Sequence, residues 1–359
     1  MSTKSDHRGG AAAIAAAGLL LACAGAPLPA DLKRAQALEA AGDREAALAV
    51  YGEALGGCRT PGARPHDDCG LAAFRRAQLL EDLGRYPDAV AAYQAVRPIS
   101  LDGRLISRAA QRAALLLADR LGQREAAVAL CREVIDRWPD EIPAEDALRL
   151  WNQLWRDEPG WPAELDRLAA TLSRHETAGF ALLYRAERAE RDGDTGTAVA
   201  RYDELWRRLT RGPLRDDAAL RAARLLRAAG RPTEAVQRLE ALEETYRKAW
   251  FVGHYNSLLL DDGALLLGQL YLEDLHQPAR AVAVLAGFLK RQPRSLLCDD
   301  ALLLMARAAL QRQGTPGAAE QREACGYLQR LFKDYPSGNR AREAQTEGQR
   351  LGCADAKAQ

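Results

Sequence analysis

The chain has 359 residues, with 28% charged and 6% aromatic side chains. Its 50 basic and 49 acidic side chains leave a formal net charge of +1, which argues against binding to nucleic acid through overall charge. After the N-terminal segment no apolar run reaches the roughly 18 residues that a transmembrane helix requires, so none is predicted.

Residues 1–22 are typical of an export signal. Lys4 and Arg8 precede an apolar run that ends at Ala22 and is too short to span a bilayer as a helix. The run closes with Leu20-Leu21-Ala22-Cys23, which resembles the lipobox of bacterial lipoproteins. The resemblance implies cleavage before Cys23, lipidation of Cys23, and a short linker over residues 23–30. The alternative is an ordinary signal peptide with an incidental cysteine.

A lipidated Cys23 would place the protein in the bacterial cell envelope. Two or more acyl chains anchor a protein stably, whereas one chain does so only marginally. Residue 24 is alanine. In enteric lipoproteins an aspartate at this position signals retention in the inner membrane. The resemblance therefore favours the periplasmic side of the outer membrane.

The stretch from Arg108 to Glu141 predicts two helices joined by a tight turn. Gly122 suits the left-handed conformation at the end of the first helix. Ala127, Cys131 and Val134 fall on one face of the second helix, and Pro139 follows its end. A single hairpin of this kind cannot bury its own apolar face, so copies are expected beside it.

Copies recur along the chain. The second-helix pattern reappears at Ala47/Tyr51/Ala54, Ala89/Tyr93/Val96, Ala198/Tyr202/Leu205, Ala235/Leu239/Leu242, Ala281/Leu285/Phe288 and Ala324/Leu328/Leu331. A glycine lies five residues before the leading alanine at Gly42, Gly84, Gly122, Gly193 and Gly230. Seven residues before each glycine, the first helix has Ala35, Ala77, Leu115, Ala186 or Ala223, most of them small enough for close helix contact.

This pattern resembles the tetratricopeptide repeat, a helix–turn–helix unit of about 34 residues. The resemblance implies an all-α fold, a right-handed α-solenoid of about eight hairpins with a C-terminal capping helix. The solenoid is predicted over residues 31–353, with a degenerate copy at about 143–174 and a disordered tail at 354–359. His276 replaces the turn glycine of one copy.

Six cysteines remain after Cys23, and an oxidising periplasm permits disulfides. Cys58 and Cys69 flank a polar loop and are expected to pair, in preference to a metal site with His66. Cys325 and Cys353 are the favoured second pair if the chain reverses after Leu351. Cys131 is expected to be a buried thiol, and Cys298 to be free.

Two aromatic groups are candidate partner-binding sites. Trp151 and Trp155 share a helix face in the degenerate copy. Tyr246, Trp250, Phe251 and Tyr255 lie in the extra length between Ala235 and Ala281, where Gly253 is expected to interrupt a helix. Either group is a docking site for a partner or a set of rings that fills a gap between repeats.

No catalytic motif accompanies these repeats. The sequence has no Gly-rich phosphate loop, nucleophile elbow or His-Glu metal helix, so no enzyme, cofactor or metal site is predicted. Three aspartate pairs, 216–217, 261–262 and 299–300, precede apolar segments and are interpreted as helix N-terminal caps and not as cation sites.

The sequence thus predicts a non-enzymatic periplasmic scaffold that binds protein or peptide partners through its repeats and is held at a membrane by an N-terminal lipid. The resemblance to tetratricopeptide lipoproteins suggests a role in envelope maintenance or outer-membrane assembly. Two alternatives remain: a soluble periplasmic adaptor, and a non-catalytic superhelical part of a peptidoglycan-remodelling system.

Overall fold

The computed structural model describes residues 29–58, 64–210, 212–252, 259–312 and 317–353. The predicted signal segment, Cys23, most of the linker and the tail at 354–359 lie outside these ranges. The described residues form 17 α-helices and one π-helical turn, with no strand among them. The predicted all-α fold is confirmed. The described residues form two compact units, which fall within residues 1–143 and 144–359.

The helices pair into eight successive hairpins, with a final helix after the eighth. Odd-numbered helices up to α15 are the first helices of the hairpins, and even-numbered helices are the second. The first three hairpins are α1 (Pro29–Ala40) and α2 (Arg44–Cys58), α3 (Asp67–Asp82) and α4 (Tyr86–Gln94), α5 (Gly103–Asp119) and α6 (Arg124–Arg137). The others are α7 (Ile142–Trp155) and α8 (Trp161–Thr171), α9 (Thr177–Arg191) and α10 (Thr195–Arg208), α11 (Pro213–Ala228) and α12 (Pro232–Val252), α13 (Leu260–Gln269) and α14 (Pro278–Arg291), α15 (Cys298–Leu310) and α16 (Ala318–Asp334), and the final α17 (Ala341–Leu351).

The glycine turns close the hairpins as the sequence predicted. All five turn glycines adopt positive φ, for example 81° at Gly42 and 77° at Gly193. The Gly42 amide donates to the Glu39 carbonyl, and the next amide, of Asp43, donates to the Leu38 carbonyl, both at 2.9 Å. These paired bonds form a Schellman motif, which satisfies the carbonyls at the end of α1. His276 also has positive φ, at 52°, where a glycine would cost less strain.

The second-helix residues predicted to pack the repeats are all buried. Each leading alanine has no solvent-exposed surface, as expected for a small residue between closely packed helices. The packing residues are Ala47, Tyr51, Ala89, Tyr93, Ala127, Cys131, Ala198, Tyr202, Ala235, Leu239, Ala281, Leu285, Ala324 and Leu328. In unit 2, those from Ala235 onward belong to a core whose members lie between Val199 and Ala344.

One first-helix prediction is wrong in register. Leu115 is only half-buried, whereas its neighbour Ala114 is fully buried. The turn after α5 holds one more residue than the other glycine turns, because the Gln123 amide donates to Leu117, six residues back instead of five. That extra residue shifts the close-contact position from Leu115 to Ala114.

The same shift occurs in the seventh hairpin. The π-helical turn Leu270–Asp274 inserts one residue after α13, and Gly268 becomes the close-contact residue. A Cβ at Gly268 would lie 2.8 Å from the Leu285 side chain, so only glycine allows α13 and α14 to approach this closely.

The aspartate pairs lie inside the first helical turns and not at the cap positions. The N-cap residues are Gly212, Leu259 and Leu297, none of which makes a side-chain cap bond. The pairs are therefore not N-cap residues, although Asp261 accepts a hydrogen bond from the Asp262 amide at 3.1 Å and each pair keeps favourable charge near a positive helix end. Asp299 instead accepts a hydrogen bond from the Arg340 amide at 3.0 Å, which fixes the chain before α17.

Among the helices described here, none combines the length and the apolar character needed to cross a lipid bilayer.

Candidate functional site

First helices lie side by side within each unit. Neighbouring first helices contact one another, as α3 and α5 do in unit 1 and α11, α13 and α15 do in unit 2. In unit 2 a groove of about 550 Å³ lies across α7, α9 and α11. We call it the first-helix groove. Its lining consists of Asn152, Arg156, Tyr184, Glu187, Glu190, Arg191 and Arg221.

The α7 side of the groove is fixed by hydrogen bonds from α9. Arg188 donates from Nη1 to the Arg156 carbonyl at 2.6 Å, and Arg191 donates from Nη2 to the same carbonyl at 3.2 Å. Arg191 also bonds the Asp157 carboxylate at 3.1 Å. On α7 itself, the Asn152 amide oxygen accepts a hydrogen bond from the buried Trp161 indole at 2.8 Å. The backbone at Arg156 and the side chain of Asn152 are thus held in one position.

The other side of the groove carries a charge network between α9, α10 and α11. Arg221 lies 3.0 Å from the Glu187 carboxylate, 2.7 Å from that of Asp217, and 3.3 Å from the Tyr202 hydroxyl. The Tyr202 hydroxyl donates to Glu190 at 2.9 Å. These bonds hold side chains of both signs in fixed positions at the surface.

Partial burial changes the titration of two groove residues. Burial raises the pKa of the Glu187 carboxyl, Arg221 opposes that rise, and Asp217 adds to it. Burial also raises the pKa of Tyr184, against the opposing effect of Arg149, so its phenol keeps its proton near neutral pH. Tyr184 therefore offers an aromatic face and a hydroxyl donor beside paired charges, a combination suited to binding polypeptide.

Both predicted cysteine pairs are bonded in the structure. Cys58 at the end of α2 is joined to Cys69 in the first turn of α3, with Cα atoms 5.9 Å apart. Cys325 on α16 is joined to Cys353 just beyond α17, with Cα atoms 5.4 Å apart. The chain reverses after Leu351 at Gly352, whose φ is 68°, and this turn brings Cys353 back to α16.

The remaining described cysteines are buried free thiols. Burial raises the pKa of the Cys131 thiol to about 12 and also raises that of Cys298, whose hydrogen bond with Tyr335 opposes the rise. A thiol is nucleophilic only as the thiolate, so both groups are inert at neutral pH.

The tryptophans of the degenerate copy form a core and not a docking surface. Trp151 and Trp161 have no exposed area, with ring centroids 5.0 Å apart, and Trp155 packs half-buried beside both. The prediction of Trp151 as a partner-binding residue is therefore wrong, and the gap-filling alternative describes it. The Trp155 ring makes edge-to-face contacts with both of the other indoles, with centroids 5.8 Å and 6.2 Å apart.

The second aromatic group remains a prediction. The α12 backbone reaches Val252, one residue before Gly253. The side chains of Tyr246, Trp250 and Phe251, and the whole of Tyr255, lie outside the described residues.

Sequence reasoning did not single out the residues that line the first-helix groove. Tyr184, Glu187 and Arg191 follow the spacing of three and four that places residues on one helix face. Asn152 and Arg156 are spaced by four on α7. The helical spacing of these polar residues is the signal in the sequence that identifies them as one face of each first helix. Within the described ranges, no three His, Cys, Asp or Glu side chains are placed to hold a metal ion.

Two segments of the chain match a family profile for the tetratricopeptide repeat, residues 217–249 and 300–338. The first covers most of the α11–α12 hairpin and the second covers the α15–α16 hairpin. No curated protein matches the sequence.

Several solved structures are similar to this chain. One is a signal-transduction ATPase with a tetratricopeptide repeat sensor from Pyrococcus horikoshii, at 12% identity over 83% of this chain and 45% of that one, with a TM-score of 0.44. The chain thus spans less than half the length of that ATPase. Another is Pseudomonas aeruginosa PilF, at 19% identity over 68% of this chain and 100% of that one, with a TM-score of 0.40.

A third similar structure is the TPR2AB domain of yeast Sti1 in complex with Hsp90 peptide. It shares 12% identity over 90% of this chain and 97% of that one, with a TM-score of 0.31. Repeats of this class generally form scaffolds for protein–protein interaction and are generally not catalytic. The matched segments coincide with two hairpins of the fold, and these two hairpins are therefore similar to the tetratricopeptide repeat.

Proposed function

We propose that this protein is a non-catalytic, membrane-anchored scaffold of the bacterial envelope that binds a partner polypeptide in the first-helix groove. The observation that carries the binding role is the groove itself. It joins three successive first helices, and its charged side chains are already fixed by bonds to one another. Groups held in position before binding lose little conformational entropy when a partner arrives.

The chemistry of the groove suits an extended polypeptide. Arg156, Arg191 and Arg221 supply donors, Glu187 and Glu190 supply acceptors, and Tyr184 supplies a half-buried ring. A peptide backbone offers both donors and acceptors and therefore complements a surface of mixed sign. The ring and the arginines are the residue types that most often dominate binding energy at interfaces.

Photo-cross-linking tests the groove. A photoreactive phenylalanine analogue at position 156 or 184 is expected to cross-link one specific partner in intact cells. The matched control is position 207 on α10, where Arg207 is exposed and does not line the groove. Cross-linking of the same partner with equal yield from position 207 would exclude the groove as the site.

The membrane anchor is supported by the sequence Leu20-Leu21-Ala22-Cys23. A Cys23→Ser protein is expected to fold as the wild type does and to leave the membrane fraction. Mass spectrometry of the wild-type N-terminus should find the acyl groups on Cys23. Wild-type protein that remains soluble would instead support the adaptor without an anchor. A protein that stays on high-salt-washed membranes after the substitution would contradict a lipid anchor at this cysteine.

A further inference from the structure

The second helix of the second hairpin is unusually short. Helix α4 has 9 residues, whereas α6, α10 and α14 each have 14. The chain turns over residues 95–99 instead of continuing the helix. Pro98 lies in this turn, and proline has no amide hydrogen and disfavours helix in the residue before it.

The missing turns of α4 leave a pocket of about 230 Å³ in unit 1. Ile106 and Ala110 of α5, Leu130 of α6, and Trp138 after α6 supply its apolar wall. Arg97 and Glu133 also line it and form an ion pair with each other. We call this space the α4–α6 pocket.

The size of the pocket selects its occupant. Sites for whole small-molecule ligands usually measure about 300–1,000 Å³, which is larger than this pocket. An apolar protein cavity of about 150 Å³ is enough to take a benzene ring. The α4–α6 pocket therefore has room for one leucine- or phenylalanine-sized side chain, and not for a folded segment.

Two exposed apolar side chains are close in sequence to residues that line the pocket or contact its lining. Large hydrophobic residues with high exposure are few in the described chain, and two of the three belong to this edge of unit 1: Leu101, 71% exposed, and Ile142, 76% exposed. Leu101 lies two residues before the first residue of α5, and Ile142 lies four residues after Trp138.

Contacts join these residues into one surface. Trp138 packs over Gly103, where an added Cβ would lie 3.2 Å from the indole nitrogen. Arg104 forms an ion pair with Glu141 at 3.5 Å, next to Ile142. Leu101, Trp138 and Ile142 therefore flank the same junction between α5 and the end of α6. We call them the apolar edge.

The charged side chains at this surface are paired with opposite charges, and Glu133 also lies 3.5 Å from Arg137. The Arg97–Glu133 pair lies at the pocket, and the Arg104–Glu141 pair lies at the edge. A paired rim does not select a charged ligand, and an apolar surface bounded by such a rim is the usual form of a protein interaction site.

We propose that the apolar edge and the α4–α6 pocket form a second docking site, separate from the first-helix groove. The occupant is a segment of a partner protein that inserts one uncharged leucine or phenylalanine side chain into the pocket. Its neighbouring residues cover Leu101 and Ile142. The site does not depend on the partner proposed for the groove, because it shares no lining residue with the groove and uses apolar burial instead of polar complementarity.

The first test uses amino-acid amides as probes of the pocket. The full chain is labelled with 5-fluorotryptophan, and the Trp138 resonance is assigned by Trp138→Phe. N-acetyl-phenylalaninamide and N-acetyl-leucinamide should shift this resonance saturably in the millimolar range. N-acetyl-lysinamide should not. Equal shifts with all three amides, or no shift with any of them, would overturn the proposal.

The second test uses peptides selected by phage display on the wild-type protein. The supporting result is a shared leucine or phenylalanine and a loss of affinity of about tenfold or more in Ala110→Leu, which fills the pocket. Ala286→Leu, on the exposed face of α14, is the matched control and should bind as the wild type does. Peptides that bind Ala110→Leu normally would contradict the pocket.

A second variant, Leu101→Ser with Ile142→Ser, serves if Ala110→Leu fails to fold. Both side chains are exposed, so the double substitution should leave the fold intact. This double variant should also weaken the selected peptides. Sedimentation of the wild type and binding to neutral phosphatidylcholine vesicles are measured alongside. Self-association or vesicle binding that the double variant abolishes, with no effect of the variant on the peptides, would assign the edge to a second copy or to lipid and overturn the proposal.

Discussion

Two adjacent hairpins of unit 2 pack their helices by opposite means. In α9–α10 the fully buried Ala186 and Ala198 allow close approach, and Gly193 turns the chain with positive φ. In α7–α8 the buried rings of Trp151 and Trp161 fill the space between the helices, and Gly160 has an ordinary φ of −80°. Both hairpins still present a first helix to the same groove. The position of a first helix is therefore preserved by either small or large residues, provided that the space is filled.

The largest expected effect comes from removing a large residue where the hairpin depends on it. Trp161→Ala should lower the free energy of unfolding of unit 2 by about 3–5 kcal/mol, because it leaves a cavity and an unpaired Asn152 amide. Urea unfolding followed by circular dichroism measures the loss. Trp155→Ala is the control and should cost less, since Trp155 is only half-buried. Equal losses of stability from both variants would contradict the assignment of Trp161 to the core and of Trp155 to its edge.

The opposite change should disrupt the regular hairpin. Ala198→Trp should cost about 1–3 kcal/mol through overpacking, since Ala198 has no exposed surface. Hydrogen exchange resolved by mass spectrometry should show lost protection in α9 and α10. Ala200→Trp is the matched control, because Ala200 lies two residues away on the exposed face of α10. If the Ala198→Trp variant keeps wild-type protection from exchange, close packing at Ala198 is not what holds α9 and α10 together.

The smallest effects concern pH. The pKa of Glu187 is raised in the folded protein by burial, so its contribution to stability is present at low pH and lost as pH rises through the folded-state pKa. The pKa of Asp194, the N-cap of α10, is lowered by its bond with Thr197, so its contribution is present at neutral pH and lost as pH falls.

Because the pKa shifts of Glu187 and Asp194 have opposite directions, substitutions of the two carboxylates should have opposite pH dependence. Compared with wild type, Glu187→Gln should become relatively more stable as pH rises from about 4 towards neutrality. Asp194→Asn should become relatively less stable than wild type as pH rises from about 2 to 5. Urea midpoints across this range measure both differences. Parallel trends in the two variants would contradict the assigned pKa directions.

The sequence was informative wherever one residue type served one geometric need. Alanines 198 and 235 and glycines 193 and 230 repeat at fixed spacing because close contact and positive φ admit few alternatives. Leu115 was misplaced because spacing alone does not reveal an extra turn residue. The α4–α6 pocket was not foreseen, because it arises from turns that one helix lacks. The residues that line the first-helix groove were not singled out, because they differ between repeats and do not recur at the repeat spacing.

The two disulfides bear on how this molecule comes apart. An array of repeats frays from its ends, because a terminal repeat has a neighbour on one side only. The Cys58–Cys69 bond staples the first described hairpin to the second, and the Cys325–Cys353 bond holds the last helix on α16. Each bond thus restrains opening where the array is weakest. Under reducing conditions a protease should shorten the chain from both ends while the central hairpins resist, whereas in an oxidising compartment the whole array should survive as one piece.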